Sequence, residues 1–582
     1  MKVMSVDPFT LEIIKNGLVV ANEEMFWAFA RTAKSPVIYE VYDFAVGMTD
    51  AEGNLVAQAP GVPAFSGVLD FAAREVLEKW GDEIYPGDVF VSNVPYNSGT
   101  HLNDVTLIMP MFYKDELIGL VLNKGHWSEV GGMAFGSWNP NATEIYQEGL
   151  QLPCVKLYEE GKPNKSVVDI ILENSRLPDY TYGDMEAQAA SMRVAAKRVK
   201  NLIEKYGLEN VKLAMKKILE DGEKYARFRL KELPKGEFEA EDYIDAAIAG
   251  TDEPLYVRAK ITITDEKFIV DFTGSAEQVM SPINSPFPAT VSGVREVYMA
   301  IMDPHAYPTG GFFKPLEIIA PEGTVFHPIK PAPTSTDWEG IAFATDLVWR
   351  ALAPHVPDKL TAGHFLSIIA TIVGGINDKT GEPFAIVEPQ PGGWGAGYDM
   401  DGTSCLVACG DGETYIASTE VYERNFPILV ERYMVNTKDG VGHGKFRGGF
   451  GVIRDYRILN SQALVTIQVG RHDFPPWSVD GGLSGPGNKV IIYKDGNAQE
   501  VRRISAEVFK RGDLVSIRTS GGGGWGDPLE RDPKLVLEDY RNELITLDVA
   551  EKIYGVVIDP EKIEINWEAT EELRKNLRQE RG

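Results

Sequence analysis

Val105-Thr106-Leu107-Ile108-Met109-Pro110-Met111-Phe112, then Tyr113-Lys114-Asp115-Glu116, then Leu117-Ile118-Gly119-Leu120-Val121-Leu122: two apolar runs around a polar turn read as a β-hairpin whose strands are buried. At its open end stand Gly99-Thr100-His101-Leu102-Asn103-Asp104 on one side and Lys124-Gly125-His126-Trp127-Ser128-Glu129 on the other. Antiparallel pairing about the turn makes opposed positions sum to about 229, so Asp104 is expected to face Gly125, and Asn103 to face His126. His101 and Asp104 are three apart and would point to opposite faces of a regular strand; a curl, made plausible by Gly99, is needed to turn both inward.

Two imidazoles and a carboxylate suit zinc, manganese or iron, with an open position for a catalytic water. Asp43 and Glu129 are the additional carboxylates, each able to ligate, to take a proton from water, or to orient a histidine. The same spacing is met if His101 and Asp104 make a turn-stabilising hydrogen bond and His126 is a satisfied core residue. The residues alone leave both readings open. The other histidines, His305, His327, His355, His364, His443 and His472, have no comparable local partners and read as structural.

Outward from the hairpin, Asp7-Pro8 predicts a capped helix start, with Leu11, Ile14, Leu18, Ala21, Met25 and Phe29 on its buried face. Phe44 to Met48 and Asn54 to Ala57 form another hairpin around Asp50-Ala51-Glu52-Gly53. From about Met185 to Leu233 the pattern becomes two helices broken around Gly207. After Pro234-Lys235-Gly236 come alternating strands such as Tyr256 to Thr262 and Phe268 to Phe272. Glycine clusters at Pro391 to Gly397, Gly442 to Gly451, Gly481 to Gly487 and Gly521 to Gly526 read as tight turns and close backbone packing. Pro533 to Gly555 resembles a docking helix, the charged tail after Glu568 is expected to fray, and Cys405 and Cys409 are spaced as on one helical face. The fold class is therefore α+β and multidomain: mixed sheets, an N-terminal helix, a central helical hairpin and a glycine-rich, β-dominated C-terminal half. Domains are expected at 1–235 (metal site and helical hairpin), 236–460 (α+β) and 461–582 (β-rich, with the docking helix).

Composition bounds the function. The chain has 582 residues and a net charge of −27, which repels a nucleic-acid backbone. Three cysteines are too few for a disulfide framework and fit a reducing compartment. No leader or bilayer-length apolar run is found, so a soluble cytoplasmic chain is expected. None of the glycine clusters carries the lysine and hydroxyl of a phosphate loop, so no ATP site is expected within the chain.

Across nearly its whole length the sequence resembles the hydantoinase B/oxoprolinase family, which includes B subunits of ATP-dependent hydantoinases and lactamases and related subunits of acetone-type carboxylases. The carrying segments are Asp43-Phe44 with Leu55-Val56-Ala57-Gln58, Gly99 to Val105, Tyr146-Gln147-Glu148-Gly149, Gly183-Asp184-Met185-Glu186-Ala187-Gln188, Phe446-Arg447-Gly448-Gly449-Phe450-Gly451 and Gly521 to Pro528. The resemblance implies that His101, Asp104 and His126 bind a catalytic divalent metal and that Asp43 is a further acidic site position. It also implies a hydantoinase A-type partner with an actin-like ATPase fold, which binds ATP and Mg and phosphorylates the carbonyl oxygen of a cyclic amide such as a hydantoin, oxoproline or lactam. This chain would complete the hydrolysis, with Glu129 or Asp43 as base, in an assembly with two of each subunit, a heterotetramer or larger. Two other readings stand beside it: an ATP-dependent ketone carboxylase subunit, and a non-catalytic scaffold for the ATPase. Trp127 and Glu129 depart from the oxoprolinase-like histidine and aspartate, and Val94 to Gly99 from the usual Asp-Pro-Tyr run. Trp127 could stack a substrate or pack the wall, and packing is preferred.

Overall fold

The structure, a computed structural model, describes residues 7–245 and 253–581. Its first helix spans Pro8–Thr32, with the Asp7 carboxylate accepting from the N–H groups of Phe9 and Thr10 at 3.1 and 3.0 Å. Proline at the first helical position costs nothing there, because that N–H would be unsatisfied anyway. Ile14, Leu18, Ala21, Met25 and Phe29 are buried on one face, as the spacing predicts, and Leu11 is half-buried beside them.

That face packs on a seven-stranded antiparallel sheet made of β1 (Phe44–Asp50), β2 (Leu55–Gln58), β3 (Val89–Ser92), β4 (Asp104–Tyr113), β5 (Glu116–His126), β6 (Val155–Glu159) and β7 (Lys162–Pro163). The order is β2-β1-β5-β4-β3-β6-β7, so the hairpin β4–β5 is central. One face sends Val105, Leu107, Met109 and Met111 into a core shared with the first helix and the long helix Pro178–Tyr206. The other sends Ile108, Leu120 and Leu122 against the helix Leu69–Trp80. Burial on both faces is why the hairpin reads as almost unbroken apolar sequence.

The register differs from the expected one. Tyr113 pairs with Glu116 and Phe112 with Leu117, but a bulge between Met111 and Phe112 shifts every pair beyond it by one, so that Asp104, not Asn103, faces His126. One extra residue in a strand does this and cannot be read from spacing. The shift puts the carboxylate directly opposite the second imidazole.

The helical hairpin is Pro178–Tyr206 and Leu208–Leu230, broken at Gly207 with φ +89°; it begins a turn or more before Met185, at a proline suited to a first turn. A four-stranded sheet follows, Gly236–Ile244, Leu255–Ile263, Phe268–Asp271 and Leu316–Ile319, whose buried face packs on helices Phe287–Met302 and Trp338–Leu352. Two further sheets of four and five strands lie between Thr371 and Arg518. The glycine clusters meet backbone to backbone: a Cβ on Gly522 would stand 2.1 Å from the Trp394 carbonyl oxygen. Close packing, as expected from the sequence, accounts for them.

Three C-terminal expectations are corrected. Pro533 to Gly555 is not one helix but two short ones, Pro533–Arg541 and Leu547–Lys552. The tail forms the helix Trp567–Arg581, with the Arg574 guanidinium donating to the Arg531 carbonyl oxygen at 2.7 Å. Cys405 and Cys409 do not share a helix: Cys405 has φ +57°, and Cys409 opens the 3-10 turn Cys409–Asp411. Among the described residues no helix is long and apolar enough to cross a membrane.

Candidate metal centre

The segment before β4 curls as required. A Cβ on Gly99 would stand 2.7 Å from Pro95 Cα, so only glycine lets the chain double back there. The Asp104 N–H then donates to the His101 carbonyl at 3.1 Å. His101 Nδ1 lies 2.9 Å from Asp104 Oδ2, and His126 Nδ1 lies 3.0 Å from Asp104 Oδ1, so one carboxylate meets both rings. The Thr100 hydroxyl also donates to Asp104 Oδ2. Ligand atoms of His101, Asp104 and His126 all lie within 4.8 Å of one another, and all three residues are buried.

Asp43 arrives on the segment entering β1, where the His126 N–H donates to its carbonyl at 3.1 Å. Its Oδ2 is 3.8 Å from His126 Nδ1. Asp337 arrives from more than two hundred residues downstream, its Oδ1 3.2 Å from His101 Nδ1. It occupies the N-cap of the helix Trp338–Leu352 yet makes no side-chain cap bond; its carboxylate faces the histidine instead. Trp138 Nε1 donates to His101 Nε2 at 3.1 Å and steadies that ring.

Burial pulls the His101 pKa down, but the carboxylates of Asp104 and Asp337 outweigh it and raise it to about 10. Burial also pushes Asp104 up, yet His101, His126 and Lys124 hold it well below the ordinary carboxylate value. Asp43 is pushed up to about 7, mainly by burial, and Asp337 upward for the same reason. Lys124 is fully buried, donates to the Asp104 carbonyl at 2.9 Å and has its pKa lowered by burial.

These residues fit a divalent cation. Two imidazoles, His101 and His126, share one cavity with the carboxylates of Asp43, Asp104, Asp337 and Asp411, a nitrogen and oxygen donor set that suits a divalent cation. His126 Nε2 and Asp337 Oδ2 are buried without a hydrogen-bond partner. Much of the wall is apolar, including Val62, Phe65, Ile341, Ile368 and Val387, and Trp338 meets His101, and Trp138 meets His126, edge-on. Such walls strengthen every charge interaction inside them.

Glu129 stands elsewhere. It does not line the cavity; Oε1 accepts from the Gly131 N–H, the Ser137 hydroxyl and the Arg176 guanidinium at 2.7, 2.8 and 2.9 Å, and Oε2 from the Gly136 N–H at 3.0 Å. These bonds tie together the loop that runs from Glu129 to Ser137, next to Trp138. Trp127 is fully buried and donates to Gln188 Oε1 at 2.7 Å; Gln188 in turn donates to the carbonyls of Val105 and Asn123. Replacing Trp127 with phenylalanine strands that amide oxygen and is expected to cost about 1–3 kcal/mol, read by thermal melting, with metal content unchanged; a loss of metal would contradict the packing role.

Sequence reasoning missed Asp337, Glu148 and Lys124. Glu148 accepts from the N–H groups of Thr334 and Ser335, each at 2.8 Å, and so ties down the segment that carries Asp337. The one signal was that Glu148 and Asp184 stand in family-like segments; Asp184 likewise accepts from Lys34 and Ser35, anchoring the turn that leads to Asp43.

The sequence pattern described as hydantoinase B/oxoprolinase matches residues 7–528. The chain belongs to this family. A relative from Pseudomonas sp. (strain NS671), named as the B component of a putative D-/L-hydantoinase, is 33% identical over 98% of this chain and 98% of its own length. The crystal structure of the ATP-dependent caprolactamase from Pseudomonas jessenii superposes on 98% of this family member and 100% of its own chain, with a TM-score of 0.92 and 28% identity. A nucleotide-free acetone carboxylase structure covers 99% of this chain and 83% of its own, with a TM-score of 0.91; at 20% identity it shows a shared fold.

Proposed function

We propose that this chain is the metal-holding subunit of an ATP-dependent cyclic-amide hydrolase in the cytoplasm, finishing the hydrolysis of a carbonyl that a partner ATPase subunit has phosphorylated. The observation that carries the reading is the convergence of His101, Asp104 and His126, with Asp337 and Asp43, in one apolar-walled cavity. The substrate class is supported by family membership and by relatives named for hydantoin and caprolactam. Both relatives are named as one subunit of a larger enzyme, which supports a partner. ATP and magnesium belong with that partner in this reading, in an assembly with two of each subunit.

An unstrained amide is a poor electrophile because resonance stabilises it, which is why activation must precede attack. A zinc, manganese or iron ion held by His101, Asp104 and His126 would supply Lewis-acid polarisation and a water of lowered pKa. The chain's own residues do the rest. Asp337 and Thr100 fix His101 and Asp104, as partners of ligands do. Asp43 Oδ2, at the edge of the cluster beside His126, is placed to take a proton from water. Trp138, Trp338 and Phe65 keep bulk water out.

The test uses the complex with its ATPase partner. With ATP and hydantoin, 5-oxoproline or caprolactam, ring-opened product and ADP are expected, with about one divalent metal per chain by elemental analysis. Incorporation of labelled bicarbonate into an acid product, without ring opening, would instead indicate a ketone carboxylase and overturn the reading.

A further inference from the structure

The cavity that holds the metal cluster has further polar lining, whose charge reaches Asp43. Asp411 and Thr414 line it together with His101, Asp104 and His126, but belong to a different part of the chain, the 3-10 turn Cys409–Asp411 and the residues after it. The Asp411 N–H donates to the Ala408 carbonyl, and the Thr414 N–H to the Asp411 carbonyl, both at 3.0 Å, so the backbone fixes the two side chains beside each other. Each residue is only 7% exposed. Asp411 Oδ2 and Thr414 Oγ1 have no hydrogen-bond partner. Two unsatisfied buried polar groups cost stability and call for a ligand that completes them.

We propose that Asp411 and Thr414 form the nitrogen end of the substrate site, Thr414 orienting the ring nitrogen and Asp411 giving it the proton it needs as its bond to carbon breaks. This rests on the cyclic-amide reading. Phosphorylating a cyclic amide on oxygen removes the N–H proton and turns the nitrogen from donor into acceptor. The complementary protein group must then be a donor, which a protonated carboxyl or a hydroxyl is. Burial, and next the neighbouring charge of Glu296, raise the Asp411 pKa to about 7, so near neutral pH the carboxyl keeps its proton in a sizeable share of the molecules, where an exposed aspartate would have lost it.

The step balances. The oxygen of water bonds to the ring carbon and gives one proton to a carboxylate of the metal end; the C=N electron pair moves to nitrogen, which takes the Asp411 proton. The C–N bond then breaks with its pair on nitrogen, which takes the first proton of water, relayed from the metal-end carboxylate through Asp411; the second proton of water, released as the carbonyl forms, returns Asp411 to its protonated state. Nitrogen gains two protons, water loses two, and Asp411 ends as it began. The product is a ring-opened amine carrying an acyl phosphate, which a second water converts to carboxylate and phosphate.

The experiment compares Asp411→Asn and Thr414→Val with the unmodified protein, each in complex with the ATPase partner, using ATP with hydantoin, 5-oxoproline and caprolactam. Asp411→Asn is expected to retain its metal and to lower kcat for ring opening about 100-fold or more, as loss of a general acid does. The loss should be greater for caprolactam, whose nitrogen leaves as a basic amine, than for hydantoin, whose nitrogen leaves as a ureide. Thr414→Val is expected to raise KM. A kcat within about twofold of the unmodified complex in Asp411→Asn, metal retained, overturns the assignment and leaves the cyclic-amide reading standing. If the unmodified complex opens none of the three rings, the cyclic-amide reading falls and the assignment with it. Should Asp411→Asn melt early, Asp411→Ala decides: kcat for each ring within about twofold of the unmodified complex overturns the proposal, and a loss greater for caprolactam than for hydantoin supports it.

Discussion

Asp104→Ala is expected to yield a chain with almost no bound metal and ring opening reduced by about a thousandfold or more. Asp104 sits between the two imidazoles and accepts from the Thr100 hydroxyl as well. Removing it takes away a ligand and at the same time leaves His101, His126 and Lys124 buried without their common counter-charge. Breaking a buried ion pair from one side costs about 3–5 kcal/mol, so the melting temperature should fall too. Metal binding adds stability by linkage, about 4 kcal/mol when metal stands a thousandfold above its dissociation constant. The unmodified protein should therefore melt earlier after chelation, and Asp104→Ala should be indifferent to chelator and to added zinc. Equal metal content in the two proteins by elemental analysis would remove the centre from these residues altogether.

Much of this was legible in sequence because the residues concerned are local. The hairpin, the first helix and the break at Gly207 follow from apolar spacing and turn residues, and His101, Asp104 and His126 lie within one supersecondary unit. What was lost is of two kinds. A bulge at Met111 and Phe112 changes register by one residue, a displacement that leaves no mark in hydrophobic pattern because both faces of the strands are apolar. Asp337, Asp411 and Thr414 come to the cavity from segments hundreds of residues away, through tertiary packing alone. Glu129 illustrates the converse: adjacency in sequence to His126 made it a candidate base, whereas the chain turns away after Ser128 and spends that carboxylate on its own loop.

The family-like segments far from the metal ligands acquire a physical meaning in this light. Asp184 and Glu148 each accept backbone N–H groups of a remote segment, and each anchored segment leads on to a carboxylate of the centre, Asp43 from Lys34 and Ser35 and Asp337 from Thr334 and Ser335. Burial raises Glu148 to about 8. Its contribution to stability is therefore full below about pH 4.5, the ordinary glutamate value, and is lost as pH rises through 8. A Glu148→Gln chain should show a flatter decline of melting temperature over that range.

Asp337→Asn separates the role of the carboxylate facing His101 from the scaffold that holds it. The amide preserves the shape and one oxygen, so the helix Trp338–Leu352, which draws no side-chain cap bond from Asp337, should stay intact and the melting temperature of the metal-free protein should hardly change. The charge facing His101 is nevertheless gone. Removing such a partner lowers metal affinity by about 10–100-fold, and ring opening at limiting metal should fall in proportion and recover when metal is raised. Glu148→Ala takes the opposite route: it leaves the N–H groups of Thr334 and Ser335 buried and unpaired, at about 1–3 kcal/mol each, and lets the segment carrying Asp337 drift. That variant should lose stability and metal together, with no recovery of stability at high metal beyond what linkage supplies. Metal titration followed by calorimetric melting distinguishes them. If Asp337→Asn binds metal as tightly as the unmodified protein while Glu148→Ala does not, Asp337 lies outside the reach of the cation, and the anchored segment serves to place Trp338 in the cavity wall instead.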